Sequence, residues 1–226
     1  TPYFRAPHIY ISLAARIFFE RLVSTGDEEG FAANEGTPRS RKPGDCSDGV
    51  LMTTRSGTHT YDFTFKESQI RPGIGYPNWT TRNNYPAAGV VQTGPTEMSL
   101  YVNRHYEQNS AYLERMTLRL DGFASVNAPF AGGEMLTNPL QFSGNQLVLN
   151  YSTSAAGSIR VELLDSSGRP IQGYRSQDCR ELIGDEIERV VTWNGVSDVS
   201  SLAGKPIQVR FLMKDADLFS LRFVNS

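Results

Sequence analysis

The sequence predicts an all-β chain, and two observations support this class. Short segments alternate polar with apolar or aromatic side chains, as residues 61–65 do, and this period of two is typical of half-buried strands. Turn-forming pairs such as Asp121-Gly122 separate these segments. Residues 7–19 are less clear, because the first half alternates as a strand does and the second half is compatible with either a strand or a helix.

Composition narrows the classes of function. The 226 residues carry a formal net charge of −2, and 39% of them are hydrophobic. The basic residues are scattered, so the sequence gives no sign of binding to nucleic acid or to an anionic membrane. This near-neutral charge balance fits a neutral ligand, such as a carbohydrate, better than it fits nucleic acid or an anionic membrane.

The sequence shows no apolar run of the roughly 18 residues that a membrane helix needs. We therefore expect a soluble protein without membrane association. The chain starts without Met or a signal-peptide pattern, which predicts truncation at the N-terminus. Cys46 and Cys179 lack metal or redox spacing, and two buried free thiols are favoured over a disulfide between distant segments.

The first part of the chain, residues 1–130, has the pattern of β-propeller blades. Strands and turns alternate through segments 87–91, 98–103, 111–120 and 123–126, which is the make-up of one four-stranded blade. Residues 7–65 fit a second, less regular blade that contains a hairpin of strands 49–54 and 61–65. Two blades cannot close a ring, so we expect a partial propeller whose other blades are missing from this sequence.

The composition changes near residues 131–134, and a second domain is predicted over 131–226. Its strands are predicted at 146–151, 158–163, 188–193, 207–213 and 217–223. Their spacing and alternation predict an antiparallel β-sandwich.

Several stretches resemble one enzyme family along nearly the whole chain. They include residues 6–10, 45–52, 65–73, 78–84, 97–101, 154–162, 183–186 and 213–218. In these stretches the chain resembles the C-terminal half of bacterial glycoside hydrolase family 32 proteins and related five-bladed propeller glycosidases. The resemblance implies a catalytic propeller followed by a β-sandwich, a carbohydrate ligand, and further blades from the same precursor or from another chain. It also implies a bacterial protein of the cytoplasm, the periplasm or the secreted fraction.

The chain departs from that family at the catalytic signatures. The segments that would carry the nucleophile and the acid/base are not found, and Asp45-Cys46 only superficially echoes one of them. If the resemblance holds, most of the catalytic machinery lies upstream of Thr1, and this chain alone is expected to be inactive. The alternative is a non-catalytic carbohydrate-binding or structural module.

Asp45 and Asp48 are the candidate catalytic residues, because they precede a strand at the end of a polar loop. Glycoside hydrolysis usually needs two carboxylates about 5–10 Å apart. The competing interpretation is that these aspartates form a turn by bonding their own backbone.

Candidate substrate-binding residues combine aromatic faces with planar polar groups, which suit sugar rings and hydroxyls. They are His8, Trp79, Arg82, Asn83, Asn84, Arg104 and His105. Each also has a structural interpretation as a turn former, a packing residue or a hydrogen-bonded bystander. No cofactor or metal is predicted, because the acidic residues between 178 and 188 match no calcium loop and are better explained as a solvated face or as partners of Arg180 and Arg189.

Overall fold

The computed structural model describes residues 1–22, 45–74, 78, 84–106 and 109–226. The protein is all-β with antiparallel sheets. It divides into two compact units, Thr1–Arg119 and Leu120–Ser226, so the observed division lies about ten residues before the one expected from composition. No helix among the described residues has the length and apolar character needed to cross a membrane.

The first sheet of the first unit has the order β1-β2-β3. Its strands are β1 (Pro2–Tyr3), β2 (Ala6–Leu22) and β3 (Asp45–Arg55). The second half of residues 7–19, for which the sequence allowed a strand or a helix, is strand, because β2 pairs with β3 continuously from Ile9 to Phe18. The second strand expected at 61–65 is reduced to one bridge, in which Thr53 and Asp62 exchange backbone hydrogen bonds of 3.0 and 2.7 Å.

The second sheet of the first unit is centred on one strand, β6. Its strands are β4 (Tyr85–Pro86), β5 (Val91–Gln92), β6 (Glu97–Arg104) and β7 (Tyr112–Arg119). β4 and β5 pair with β6 at different positions, and β7 also pairs with β6. Leu100 and Val102 of β6 pack with Ile70 in a small core. That these two sheets are propeller blades stays a prediction.

The second unit is a five-stranded sheet with β-sandwich-like packing. Its strands are β8 (Val126–Ala128), β9 (Gly133–Leu136), β10 (Gln146–Asp165), β11 (Asp185–Val190) and β12 (Ile207–Val224). β8 pairs with β12, so the segment expected to complete the preceding blade belongs to this unit. A single short 3₁₀ helix, Ser200–Leu202, lies between β11 and β12.

β10 and β12 are each one long strand where the sequence predicts two. They pair along their length, with a register shift between Thr153 and Ser158. The extra residues lie in β10, and a bulge of this kind bends the strand that carries it. Apolar side chains from both halves of β10 and β12 belong to one core, which includes Tyr151, Phe211 and Trp193. The bend is close-packed, because a Cβ on Gly157 would lie 2.7 Å from the Lys214 carbonyl oxygen.

Candidate functional site

Asp48 lies directly opposite Arg16 in the β2–β3 pair. The Arg16 Nε and Nη2 atoms donate to the two carboxylate oxygens of Asp48 at 2.9 and 2.6 Å. Arg16 Nη1 also donates to the carbonyl oxygen of Lys66 at 2.9 Å. Hydrogen bonding to Asp48 raises the pKa of the Arg16 guanidinium, against the lowering effect of burial. Both oxygens of Asp48 are therefore occupied, which favours a structural role for this side chain.

Asn84 bridges the two sheets of the first unit and is fully buried. Its Nδ2 atom donates to the carbonyl oxygen of Ser47 in β3 at 3.2 Å, and its Oδ1 accepts from Arg104 of β6. The backbone of Asn84 is left-handed, with φ of 74°. Asparagine tolerates this conformation better than most residues and supplies both a donor and an acceptor, so it suits the position.

Arg104 is a buried cation whose Nε and Nη1 atoms donate to neighbouring acceptors. Its Nε donates to Glu114 of β7 at 2.6 Å, and its Nη1 reaches the carbonyl oxygens of Arg71 and Pro72 at 3.0 and 3.2 Å. A buried guanidinium is tolerated only with such partners. Arg104 therefore fixes the start of the loop that follows Ile70 against the second sheet.

His105 follows Arg104 in the chain and has two hydrogen-bond partners, Asn78 and Ser110. Asn78 donates its Nδ2 to the Ile74 carbonyl oxygen at 2.6 Å, so its Oδ1 faces His105 Nε2 at 3.1 Å. Nε2 is thereby the donor, and Nδ1 accepts from the Ser110 hydroxyl at 2.9 Å. Both ring nitrogens of His105 are engaged, which orients the ring.

The His105 ring meets the ring of Tyr112 edge-on, with centroids 5.0 Å apart and planes at 88°. Tyr112 is 45% exposed. We call Asn78, His105, Ser110 and Tyr112 the His105 surface. It combines an exposed aromatic ring with an amide, an imidazole and a hydroxyl, and these groups can contact a ligand with both apolar and hydroxyl faces.

Three carboxylates described in the sheets of the first unit are engaged by arginines. Beside the Arg16–Asp48 pair, Glu114 pairs with Arg104, and Glu97 pairs with Arg115. Arg115 also donates to the Ser99 hydroxyl at 2.9 Å. These three carboxylates stabilise strand pairing, and none presents both oxygens to solvent.

The remaining candidates are distributed as follows. His8 is exposed on β2, and its carbonyl oxygen accepts from the Ser56 amide at 2.8 Å. Asp45 begins β3, but its side chain lies outside the described residues, as do Trp79, Arg82 and Asn83. The structure thus joins Asn84 to Arg104 by a hydrogen bond, and it gives His105 separate partners, Asn78 and Ser110. Asp48 follows Ser47, whose carbonyl oxygen accepts from Asn84.

In the second unit, several acidic residues after position 178 pair with arginines. Glu181 lies 3.6 Å from Arg160, and Glu186 lies 3.1 Å from Arg189. Glu188 pairs with Arg222. Within the described ranges no group of three or more His, Cys, Asp or Glu side chains is arranged to hold a metal ion.

Four residues that contact the predicted site residues were not themselves predicted from the sequence. They are Arg16, Asn78, Glu114 and Tyr112. The partner of Arg104 could have been predicted, because an arginine on the inward face of an alternating strand requires a carboxylate or another acceptor. That carboxylate, Glu114, lies on the neighbouring strand. The pairing of Arg16 with Asp48 had no such signal, because it depends on the register of two strands separated by residues 23–44.

The chain is an all-β protein of two units, and its first unit carries a buried Asn84–Arg104 pair and the His105 surface, in which Tyr112 is exposed and His105 is half-buried. Comparisons of the chain with protein-family models, with curated proteins and with solved structures found no match.

Proposed function

We propose that this chain is the non-catalytic, saccharide-binding part of a glycoside-hydrolase-like protein. In this proposal the His105 surface forms part of the wall of a carbohydrate cleft. The second unit supports the protein through its β-sandwich-like core. The acid and the nucleophile of the hydrolytic reaction belong to sequence outside the described residues.

The observation that carries the proposal is the fixed orientation of His105 beside Tyr112. Both ring nitrogens of His105 are hydrogen-bonded, at 2.9 Å to Ser110 and 3.1 Å to Asn78. The rings are therefore ordered before a ligand arrives, which lowers the entropic cost of binding. An aromatic face suits the C–H face of a pyranose ring. The second Nδ2 hydrogen of Asn78 and the oxygen lone pairs of Ser110 are not used by these bonds, and they match sugar hydroxyls.

The binding role is favoured over catalysis because the three carboxylates described in the sheets of the first unit are paired with arginines. Asp48 is 8% exposed, and Arg16 occupies both of its oxygens. A hydrolytic acid or nucleophile must instead reach the glycosidic bond. Glu97 and Glu114 are paired in a similar way.

The proposal is tested by calorimetric titration of the chain with a panel of neutral oligosaccharides. Tyr112→Ala is expected to weaken binding of the best ligand roughly fivefold to tenfold, because it removes one aromatic face. His105→Asn removes the ring from a position with φ of 52° and substitutes a residue that tolerates this backbone, and it should weaken binding similarly.

Tyr61→Ala serves as the matched control, since Tyr61 is a 55% exposed tyrosine of the same unit outside the His105 surface. Its affinity should equal that of the unmodified chain. Equal losses in Tyr61→Ala and Tyr112→Ala would contradict the proposal, and so would the absence of binding to every saccharide of the panel.

A further inference from the structure

The second unit contains a small polar concavity. Its volume is about 280 Å³, and its lining consists of Gln172, Gly173, Arg175, Gln177, Asp178 and Asn194. Ligand pockets typically span about 300–1,000 Å³, so this one has room for a single small ring. All its side chains are polar, which points to a hydrophilic ligand.

The loop over residues 171–178 forms one side of the concavity and is fixed to the sheet. The Ile171 amide donates to the Leu163 carbonyl oxygen at 2.9 Å, and the Leu163 amide donates to Tyr174 at 3.0 Å. The Ser176 amide lies 3.4 Å from Oε1 of Glu162. Because the backbone is anchored at several points, the loop keeps its shape without a ligand.

Asn194 forms the other side of the concavity and is joined to the first loop. Its amide donates to the Asp178 carbonyl oxygen at 2.7 Å, and its Nδ2 donates to Asp178 Oδ1 at 3.2 Å. The preceding residue, Trp193, is buried and donates its Nε1 to the Val161 carbonyl oxygen at 2.9 Å. Asp178 therefore holds the two sides of the concavity together through its two hydrogen bonds with Asn194.

The side chains of Gln172, Arg175 and Gln177 are exposed, in contrast to this fixed backbone. Within the described part of the chain, none of the three makes a side-chain hydrogen bond or an ion pair. Five arginines of the second unit do have a carboxylate partner, namely Arg160, Arg169, Arg189, Arg210 and Arg222. Arg175 lacks one although Asp178 is close in sequence, so its guanidinium is available to a ligand.

We propose that this concavity binds a single acidic sugar ring. The carboxylate of the sugar pairs with the guanidinium of Arg175, whose planar fork matches a carboxylate. The amides of Gln172 and Gln177 each offer donors and an acceptor to the ring hydroxyls. This site is separate from the His105 surface and does not depend on it.

The test is a titration of the ¹⁵N-labelled chain with glucuronate and, in parallel, with glucose as the neutral counterpart. We expect glucuronate to shift the side-chain amide signals of Gln172 and Gln177, with glucose binding roughly tenfold or more weakly. Arg175→Ala should remove this preference by weakening glucuronate binding by the same factor.

Arg180→Ala is the matched control, because Arg180 is also exposed and without a carboxylate partner among the described residues, yet it does not line the concavity. It should bind glucuronate as the unmodified chain does, and so should Tyr112→Ala. Undiminished binding by Arg175→Ala would overturn the proposal. Equal affinity for glucose, or glucuronate shifts confined to other residues, would overturn it as well.

Discussion

Arg16 and Asp48 face each other across β2 and β3 and form a two-point ion pair, with N–O distances of 2.9 and 2.6 Å. The side chain of Asp48 is 12% exposed and that of Arg16 is 29% exposed. In a pair with so little exposure to water, removal of either partner destabilises the fold because it leaves the other charge buried and unpaired. This geometry favours a structural role for Asp48.

Replacement of Asp48 should affect stability. Asp48→Ala leaves Arg16 without its partner and should lower the free energy of unfolding of the first unit by about 2 kcal/mol. Urea denaturation followed by amide signals of that unit measures the change. Glu67→Ala removes an exposed carboxylate of the same unit as the control. A difference between the two variants below about 0.5 kcal/mol would contradict the structural role.

The backbone and the side chain of Asn84 contribute separately to stability. Asn84→Gly keeps the left-handed conformation accessible and loses only the hydrogen bonds to Ser47 and Arg104. Asn84→Ala loses the same bonds and also places a Cβ in that conformation. Asn84→Ala should therefore be less stable than Asn84→Gly by about 1 kcal/mol in urea denaturation. Equal stability of the two variants would show that the backbone conformation carries no cost.

Gly157 is required at the bend of β10. A Cβ at this position would lie 2.7 Å from the backbone oxygen of Lys214, and backbone cannot move aside as a flexible side chain can. Gly157→Ala should destabilise the second unit by about 2 kcal/mol or more in thermal denaturation. Gly133→Ala is the control, since its Cβ would meet only Ala128 at 3.7 Å. Near-equal melting temperatures would rule out the close contact.

The stability of the turn that follows β10 should depend on pH through Asp165. Hydrogen bonds from the Ser167 side chain and from the Arg169 amide lower the pKa of Asp165 from 3.8 to about 2. A lowered pKa in the folded state means that the stabilisation is complete above the unfolded value and is lost as pH falls toward 2. An NMR titration of the carboxyl carbon should therefore give a midpoint near 2. A midpoint near 3.8 would contradict the turn geometry, and Ser167→Ala should move the midpoint upward.

Cys179 should be chemically inert while the second unit is folded. It is 4% exposed, and burial raises the pKa of its thiol. Less thiolate and little access both slow alkylation. In a Cys46→Ser background, iodoacetamide should label Cys179 only at the rate of unfolding, as followed by mass spectrometry. Rapid labelling of the folded chain would contradict the buried position.

Local sequence patterns predicted the positions of many strands, but they did not show that β10 and β12 are unbroken. The alternation in β6 and β7 was sufficient to predict these two strands, because each has one face that is more buried than the other. Residues 154–157 have the composition of a turn, yet the bulge there keeps β10 unbroken. A bulge depends on the partner strand β12, which lies far away in sequence. Local propensity therefore could not distinguish a bulge from a turn.

The site was predictable to a smaller extent. Asn84, Arg104 and His105 were singled out by residue type. The structure joins Asn84 and Arg104 by a hydrogen bond, whereas His105 has other partners, Asn78 and Ser110. The pairing of Asp48 was not predictable, because a shift of the β2–β3 register by one residue would turn Arg16 to the other face. Tyr112 had no signal either, since its role comes from the neighbouring His105 ring.

The central claim, saccharide binding without hydrolysis at the His105 surface, is tested most directly by one NMR experiment. A neutral oligosaccharide is incubated with the chain, and saturation transfer to the sugar and the anomeric signals are followed in the same sample. We expect saturation transfer that is weakened in Tyr112→Ala, with anomeric signals that do not change. New reducing-end signals that disappear in Asp48→Asn would contradict binding without hydrolysis.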